Sequence, residues 1–257
     1  MAVDWSGDAR AETGTHPRLW VAQGCDGALT ALDPSARQGA IVAIRAAADR
    51  EGPSLVVGLD FAFSYPSWFM TGRGLTSGPD LWDRIDGLAF DRPPFFGWKA
   101  SRAPAPGRRY RRTEVRLRQH GFPAKSTFQL TGPGSVGTGS RKGMPHLADL
   151  RGSGFAVWPF DPADDARPVV AEIYPRVFTG AVVKSDARAR QRTFDALVPH
   201  APPLLRARAI GSEDAFDAAV SAVALSCSTG FDPPPEPEIA TTEGWVVRPT
   251  AGAGTAV

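Results

Sequence analysis

Acidic residues that lie far apart in the chain are the best candidates for chemistry. Asp4 and Asp60 each follow a short apolar segment, and Glu172 lies within a third. Asp217 lies in a late segment with helical spacing of apolar residues. Crowded carboxylates repel one another and become partly protonated unless a cation joins them. Mg²⁺ and Mn²⁺ prefer oxygen ligands, so these residues are predicted to be catalytic and to bind a metal ion if folding gathers them.

Asp214 is the alternative to Asp217 on the same helical segment. The two residues are one turn apart and therefore share a face. Asp217 is favoured because the small residues Ala218 and Ala219 would let the helix approach a sheet closely. Asp214 lies in the first turn, where the helix dipole already explains an acid.

The acids can meet only if the segments that carry them are neighbours in one sheet. Apolar patterning predicts strands at 1–6, 18–23, 28–32 and 55–59, a turn at Asp26-Gly27 and a helix at 34–51. Three antiparallel strands followed by a helical crossover to a parallel strand give an α/β fold with a mixed sheet flanked by helices. Asp4 and Asp60 would then lie at the same end of adjacent strands.

The second half of the chain is predicted to resume the α/β pattern. A buried strand is expected at 168–175, with Glu172 inside it, and a helix is expected from a Ser185 cap to about residue 198. Ser212 is predicted to cap a helix at 213–228, and 244–247 could form an edge strand. We predict a single domain, 1–257, with a long Gly-, Pro- and Arg-rich insertion at about 67–165 that covers the open end of the sheet.

Basic residues are concentrated in the insertion between residues 99 and 125. Aromatic residues lie among them, and such a mixture could follow a phosphate backbone and stack bases. A solvated basic surface is the alternative. The basic residues of this run are Lys99, Arg102, Arg108, Arg109, Arg111, Arg112, Arg116, Arg118 and Lys125.

A glycine-rich segment at 131–143 contains the pattern G-x-G-x-x-G. No strand–turn–helix unit is predicted around it, so it is weak as a dinucleotide motif, and Lys142 is misplaced for a P-loop. Its backbone amides, together with Arg141 and Lys142, could hold a phosphate, whereas the alternative is a surface loop. The predicted substrate-binding residues are Ser64, Arg109, Arg112, Lys125, Arg141 and Lys142.

The composition limits the classes of protein to consider. The formal net charge is +2, which permits a polyanionic partner without requiring one. The two cysteines, Cys25 and Cys227, form no disulfide framework and favour a reducing compartment. No apolar run is long enough to span a membrane and no signal segment is evident, so a cytoplasmic protein is expected.

Six short segments carry a resemblance to a known family: 4–7, 58–66, 128–144, 172–175, 214–219 and 243–245. They resemble the domain-of-unknown-function family 429, whose members are described as predicted ribonuclease-H-like nucleases. The resemblance implies a ribonuclease-H-like fold with a site formed by Asp4, Asp60, Glu172 and an acid of the last helix. Many ribonuclease-H-like enzymes instead take an acid from the first helix.

These observations lead to one predicted function and two alternatives. The prediction is a nuclease that hydrolyses phosphodiesters with Mg²⁺ or Mn²⁺ and acts on nucleic acid, with no membrane partner; two ions about 4 Å apart could clamp the attacking and leaving oxygens. A phosphotransferase on the same fold is one alternative, using the segment 134–142 to bind a nucleotide phosphate. A non-catalytic nucleic-acid-binding module is the other.

Overall fold

The computed structural model describes residues 1–13, 19–97, 103–132 and 134–251. The strands within these ranges are β1 (Ala2–Asp4), β2 (Trp20–Cys25), β3 (Ala28–Pro34), β4 (Val56–Leu59), β5 (Ala156–Trp158), β6 (Val169–Glu172), β7 (Ser228–Phe231) and β8 (Pro249–Ala251). The first six form one mixed sheet in the order β3-β2-β1-β4-β6-β5, and β7 and β8 form a small antiparallel sheet.

Helices lie before, between and after these strands. They are α1 (Arg10–Thr13), α2 (Arg37–Glu51), α3 (Ser67–Thr71), α4 (Gly78–Trp82), α5 (Arg112–Gln119), α6 (Gly137–Gly152), α7 (Arg176–Thr179), α8 (Ala187–Leu197), α9 (Pro203–Gly211), α10 (Glu213–Ser226) and α11 (Pro237–Glu243). The α/β class and the mixed sheet with its antiparallel start are confirmed. Across the described ranges, no helix is both long and apolar enough to cross a lipid bilayer.

The chain packs as two compact units. The first unit contains 1–60, 173–232 and 247–251, and the second contains 61–172 and 233–246. The segment predicted as an insertion, 67–165, falls inside the second unit, which also includes β6 and α11.

In the first unit, the hairpin and α10 form the framework around β1. The β2–β3 turn has positive φ angles at Asp26 and Gly27, as the predicted hairpin requires. Ser212 caps α10 by accepting a hydrogen bond from the amide of Ala215 at 3.3 Å. Helix α10 packs against β1, β2, β3 and β4, and its residues from Ala215 to Val223 are all buried.

An aromatic cluster forms much of the core of the second unit. Tyr65 stacks on Phe128 with ring centroids 5.4 Å apart, and Phe69 and Phe95 pack against both rings. The segment 61–66, which follows β4, therefore supplies buried side chains to this unit.

Four predictions about the elements were wrong. Strand β6 ends at Glu172 rather than enclosing it, and the carboxylate is occupied by hydrogen bonds from Arg111 and Phe63. Asp186 rather than Ser185 caps α8, because its carboxylate accepts from the amide of Arg188 at 2.9 Å. The segment 244–247 is outside the named strands and contributes one isolated bridge between Val246 and Glu172.

The fourth wrong prediction concerns the glycine-rich segment. Helix α6 begins at Gly137, so 137–143 is helical rather than a loop. A β-carbon on Gly137 would lie 2.6 Å from the carbonyl oxygen of Thr127, and one on Gly143 would lie 2.5 Å from the ring of Phe61. These glycines therefore allow the helix to pack closely against its neighbours. The glycine-rich sequence pattern by itself suggests a flexible loop instead.

Gly24 offers a direct test of how closely α10 approaches the sheet. A β-carbon there would lie 2.7 Å from the carbonyl oxygen of Ala222 in α10. We expect Gly24→Ala to lower the free energy of unfolding by about 1–3 kcal/mol, measured by urea denaturation, because helix and strand must separate. Gly211→Ala is the matched control, since nothing lies within 4 Å of its added β-carbon. Equal stability of the two variants would contradict this packing.

Candidate active site

The parallel pairing of β1 and β4 places Asp4 and Asp60 side by side. Val3 pairs with Leu59, and the amide of Asp60 donates to the carbonyl of Val3 at 3.1 Å. Asp4 and Asp60 are each one residue beyond that pair, so they point to the same face at the carboxyl end of adjacent strands. Open α/β sheets commonly place their ligands at this end.

Helix α10 adds two more carboxylates of the first unit to this region. Asp217 is 4% exposed, whereas Asp214 in the first turn is only partly buried. Both acids act electrostatically on Asp4, and the effect of Asp217 is the larger of the two. The choice of Asp217 over Asp214 as the metal ligand of this helix stays a prediction.

Lys184 supplies a positive charge to the same group of acids. Its ammonium group makes an ion pair with Oδ2 of Asp217, while Oδ1 of Asp217 is buried and has no hydrogen-bond partner within the described residues. The guanidinium of Arg190 donates to the carbonyl of Lys184 and, at 2.8 and 3.0 Å, to that of Ile210. The backbone that carries Lys184 is therefore anchored to the end of α9.

The electrostatics of the group follow from burial and mutual repulsion. Burial raises the pKa of Asp4 well above its usual range, and the neighbouring charges of Asp60, Asp217 and Asp214 raise it further, against the opposing effect of Lys184. Burial also raises the pKa of Asp217, although Lys184 works against that rise. These acids therefore bind a proton more readily than exposed aspartates, and a cation could replace that proton.

The donor set of this group is compatible with a hard cation. Across the described ranges, no group of three or more His, Cys, Asp or Glu side chains is arranged to hold a metal ion. Mg²⁺, however, usually keeps several waters and is bound through one or two carboxylates. The unpartnered, buried Oδ1 of Asp217 is an oxygen of the kind that such an ion or its waters would use.

Glu172 lies in the second unit, within a buried network centred on Arg111. Arg111 is 1% exposed and makes ion pairs with both Glu172 and Glu114. Oε2 of Glu172 accepts from Arg111 at 2.8 Å and from the amide of Phe63 at 3.0 Å. Burial opposes the charge on Arg111, but the two glutamates outweigh it and raise its pKa.

Helix α11, which we call the strap, contacts this network. Arg111 donates to the carbonyl of Glu243 at 2.9 Å, and the carboxylate of Glu243 accepts from the amide of Ser67 and that of Arg112, each at 2.6 Å. Ser64 is fully buried, and its hydroxyl donates to the carbonyl of Thr242 at 2.6 Å. In this structure Ser64 therefore fastens α11, and its predicted role in binding substrate stays a prediction.

The other predicted substrate-binding residues lie in the second unit and are mostly exposed. Arg112 lies 3.9 Å from Glu236, and Lys125 lies beside Gly134. Arg109 is partly buried and donates twice to the carbonyl of Pro104. Arg141 and Lys142 lie near the start of α6. Lys99 and Arg102 of the predicted basic run are outside the described residues.

Two important residues were missed by sequence reasoning. No local sequence pattern links Lys184 to Asp217. The only signal is the predicted capped helix that follows Lys184, which suggests that the backbone of this residue is held in place. Arg111 was grouped with the basic run, although it is buried; the acid three residues later, Glu114, is the signal that could have separated it.

Comparison of the chain with known family models, curated proteins and solved structures finds no match. The resemblance to family 429 therefore stays a prediction.

The raised pKa of Asp4 predicts how stability changes with pH. A carboxyl group with a higher pKa in the folded chain destabilises the fold as pH rises from about 4, the ordinary aspartate pKa, through the raised value. We expect Asp4→Asn to increase the free energy of unfolding at pH 8 by at least about 1 kcal/mol, and the gain to disappear below about pH 4. Urea denaturation at both pH values measures this.

Asp49→Asn is the matched control, because Asp49 is an exposed aspartate of α2 in the same unit. If Asp4→Asn is no more stable than Asp49→Asn at pH 8, Asp4 does not experience the repulsion described above.

Proposed function

We propose that the chain is a metal-dependent nuclease that hydrolyses phosphodiesters at the acids of its first unit. Asp4 and Asp60 would be the main ligands of Mg²⁺ or Mn²⁺. Asp217, with Asp214 as its substitute, would complete the site or position water. The observation that supports this most is the gathering of these carboxylates around Asp4, whose pKa is raised by burial first and then by their charges.

Each residue of the proposed site would have a separate role in hydrolysis. Asp4 and Asp60 would hold the cation, and Oδ1 of Asp217 would accept a hydrogen bond from the attacking water. Lys184, held near Asp217, would place positive charge close to the phosphate. The metal ion, when bound, supplies Lewis acidity and lowers the pKa of a coordinated water.

Glu172 is left out of the proposed ligand set. Its two carboxylate oxygens already accept hydrogen bonds from Arg111, and one also accepts from the amide of Phe63. Removing one partner of a buried ion pair typically costs about 3–5 kcal/mol, so a structural role is sufficient to explain this residue. Ser64 is left out for a similar reason, since its hydroxyl is occupied inside the second unit.

Nucleic acid is the proposed substrate because of exposed arginines that stack on aromatic rings in the second unit. The guanidinium of Arg108 lies 4.0 Å from the ring centroid of Trp68, and that of Arg73 lies 3.6 Å from Phe69. Arg118 lies 4.8 Å from the ring of Tyr110. Phe69 is buried, but Trp68 and Tyr110 are partly exposed, and arginines beside exposed rings are typical of surfaces that bind single-stranded nucleic acid.

We also propose that the fold is ribonuclease-H-like and that the protein is cytoplasmic. A ribonuclease-H-like fold is supported by the antiparallel β3-β2-β1 start, the parallel β4 and an acid at the end of β1. A cytoplasmic location is supported by Cys25 and Cys227, which are free and exposed, as is typical of proteins in reducing compartments.

A non-catalytic nucleic-acid-binding module is the second candidate. The ion pair between Lys184 and Asp217 favours it, because the acid group already contains a cation. This candidate predicts affinity for nucleic acid that falls with rising salt and no cleavage with any divalent metal.

Cleavage of labelled single-stranded RNA and DNA oligonucleotides tests the proposal. We expect cleavage that requires Mg²⁺ or Mn²⁺ and stops in excess EDTA. Asp60→Asn should lower the rate at least about 100-fold, because even outer-shell changes at metal sites cost 10–100-fold. The exposed Asp49→Asn variant, in the same unit, should cleave at the wild-type rate.

Glu172→Gln separates the proposed ligands from the structural network. It should lower the temperature of unfolding but leave unchanged the metal concentration that gives half-maximal cleavage. Cleavage that persists in EDTA would refute the nuclease proposal. A shifted metal requirement in Glu172→Gln but not in Asp60→Asn would refute the ligand set.

A further inference from the structure

A cavity of about 370 Å³ lies in the second unit, between two segments of chain. Phe90, Phe95 and Phe96 line it from one segment, and Leu130 and Thr131 line it from the other. Its volume is within the range of small-molecule sites, about 300–1,000 Å³. Neither the acids of the first unit nor the proposed cleavage involves this cavity.

Backbone hydrogen bonds hold the two segments together. The amide of Phe96 donates to the carbonyl of Phe128 at 3.0 Å, and the amide of Leu130 donates to the carbonyl of Phe96 at 2.9 Å. Phe95 is buried against Tyr65 and Phe128, which form part of the core. The aromatic wall is therefore fixed before any ligand arrives, which reduces the entropic cost of binding.

Phe96 presents part of its ring to a ligand, because its side chain is only partly buried. The two segments approach each other closely at Gly97, where a β-carbon would lie 2.8 Å from the hydroxyl of Thr131. A partly exposed ring favours a planar aromatic group, which can stack on it, over a bulky aliphatic group.

Two guanidinium groups lie beside the aromatic lining. That of Arg141 lies 4.3 Å from the ring centroid of Phe90, and that of Arg109 lies 5.8 Å from that of Phe96. Arg141 is exposed, and within the described ranges its side chain makes no hydrogen bond or ion pair. Its donors are therefore available for an anion on the ligand.

The lining also carries one exposed acid, Asp91. A carboxylate accepts hydrogen bonds from the exocyclic amino group of a base. A planar aromatic ring with a polar edge and an attached anion satisfies the phenylalanines, Asp91 and Arg141 together. That combination is the chemistry of a nucleotide.

We propose that this cavity binds the base of a nucleotide and that Arg141 contacts the attached phosphate. The base packs against Phe96 and its edge faces Asp91. The occupant is a mononucleotide or a nucleotide of a single strand, since a base paired in a duplex cannot enter. The site needs no divalent metal and no cleavage.

Calorimetric titration of the full chain with AMP, CMP, GMP and UMP, in EDTA, tests this inference. At least one nucleotide should bind with a Kd of about 1 mM or less. Arg141→Gln should weaken it at least about 10-fold, because it removes a charge-assisted hydrogen bond to the phosphate. Phe96→Leu, which keeps an apolar side chain, should weaken it at least about 5-fold, since base stacking contributes about 1–3 kcal/mol.

The controls separate the parts of the ligand. Arg84→Gln, at an exposed arginine paired with Asp80 in the same unit, should bind as the wild type does. The nucleoside without phosphate should bind Arg141→Gln and wild type equally. The inference is overturned if no nucleotide binds, or if inorganic phosphate or phenyl phosphate binds as tightly as every nucleotide. It is also overturned if neither Arg141→Gln nor Phe96→Leu changes the affinity. Because EDTA is present, failure here is distinct from failure of the nuclease proposal.

Discussion

The gathering of several aspartates near the ends of two adjacent strands is the constraint on which the first unit depends. Hydrogen bonding between β1 and β4 places Asp4 beside Asp60, and α10 adds Asp217. Burial and mutual repulsion raise the pKa of Asp4. This group of acids therefore destabilises the fold at any pH at which the carboxyl groups are ionised. Lys184 offsets part of this repulsion through its ion pair with Asp217. A fold that keeps an unfavourable group of charges is typical of a functional site, where stability is given up for chemistry.

The second unit deals with buried charge in the opposite way. Arg111 pairs with Glu114 and Glu172, and the strap containing Glu243 supplies further acceptors, so each buried charge of the network has partners. Its exposed arginines stack on aromatic rings, and one of them borders the cavity beside Phe90. The first unit thus gathers several acidic side chains around Asp4, whereas the second unit places exposed arginines beside aromatic rings.

Much of the framework could be predicted from the sequence because it depends on local patterns. The apolar run before Asp60, the turn at Asp26-Gly27 and the cap at Ser212 each have short-range signals, and strand pairing rules then place Asp4 beside Asp60. Lys184 had no such signal, because its partner Asp217 lies 33 residues later in the chain.

The burial of Arg111 could not be predicted from local sequence for the same reason. It looked like one member of a basic surface, but its burial depends on Glu172, which lies 61 residues later. The glycines of α6 were misread because their close contacts are with Phe61 and the backbone of Thr127, and no periodicity in the helix itself reveals those neighbours.

A crystal structure of the chain with bound Mn²⁺ would show whether these aspartates bind a metal ion, because the anomalous signal locates the ion without reference to activity. We expect an anomalous peak coordinated by carboxylate oxygens of Asp4 and Asp60, with Asp217 binding the ion or one of its waters. A manganese ion bound elsewhere, with Asp4 and Asp60 contacting only protein groups, would contradict it.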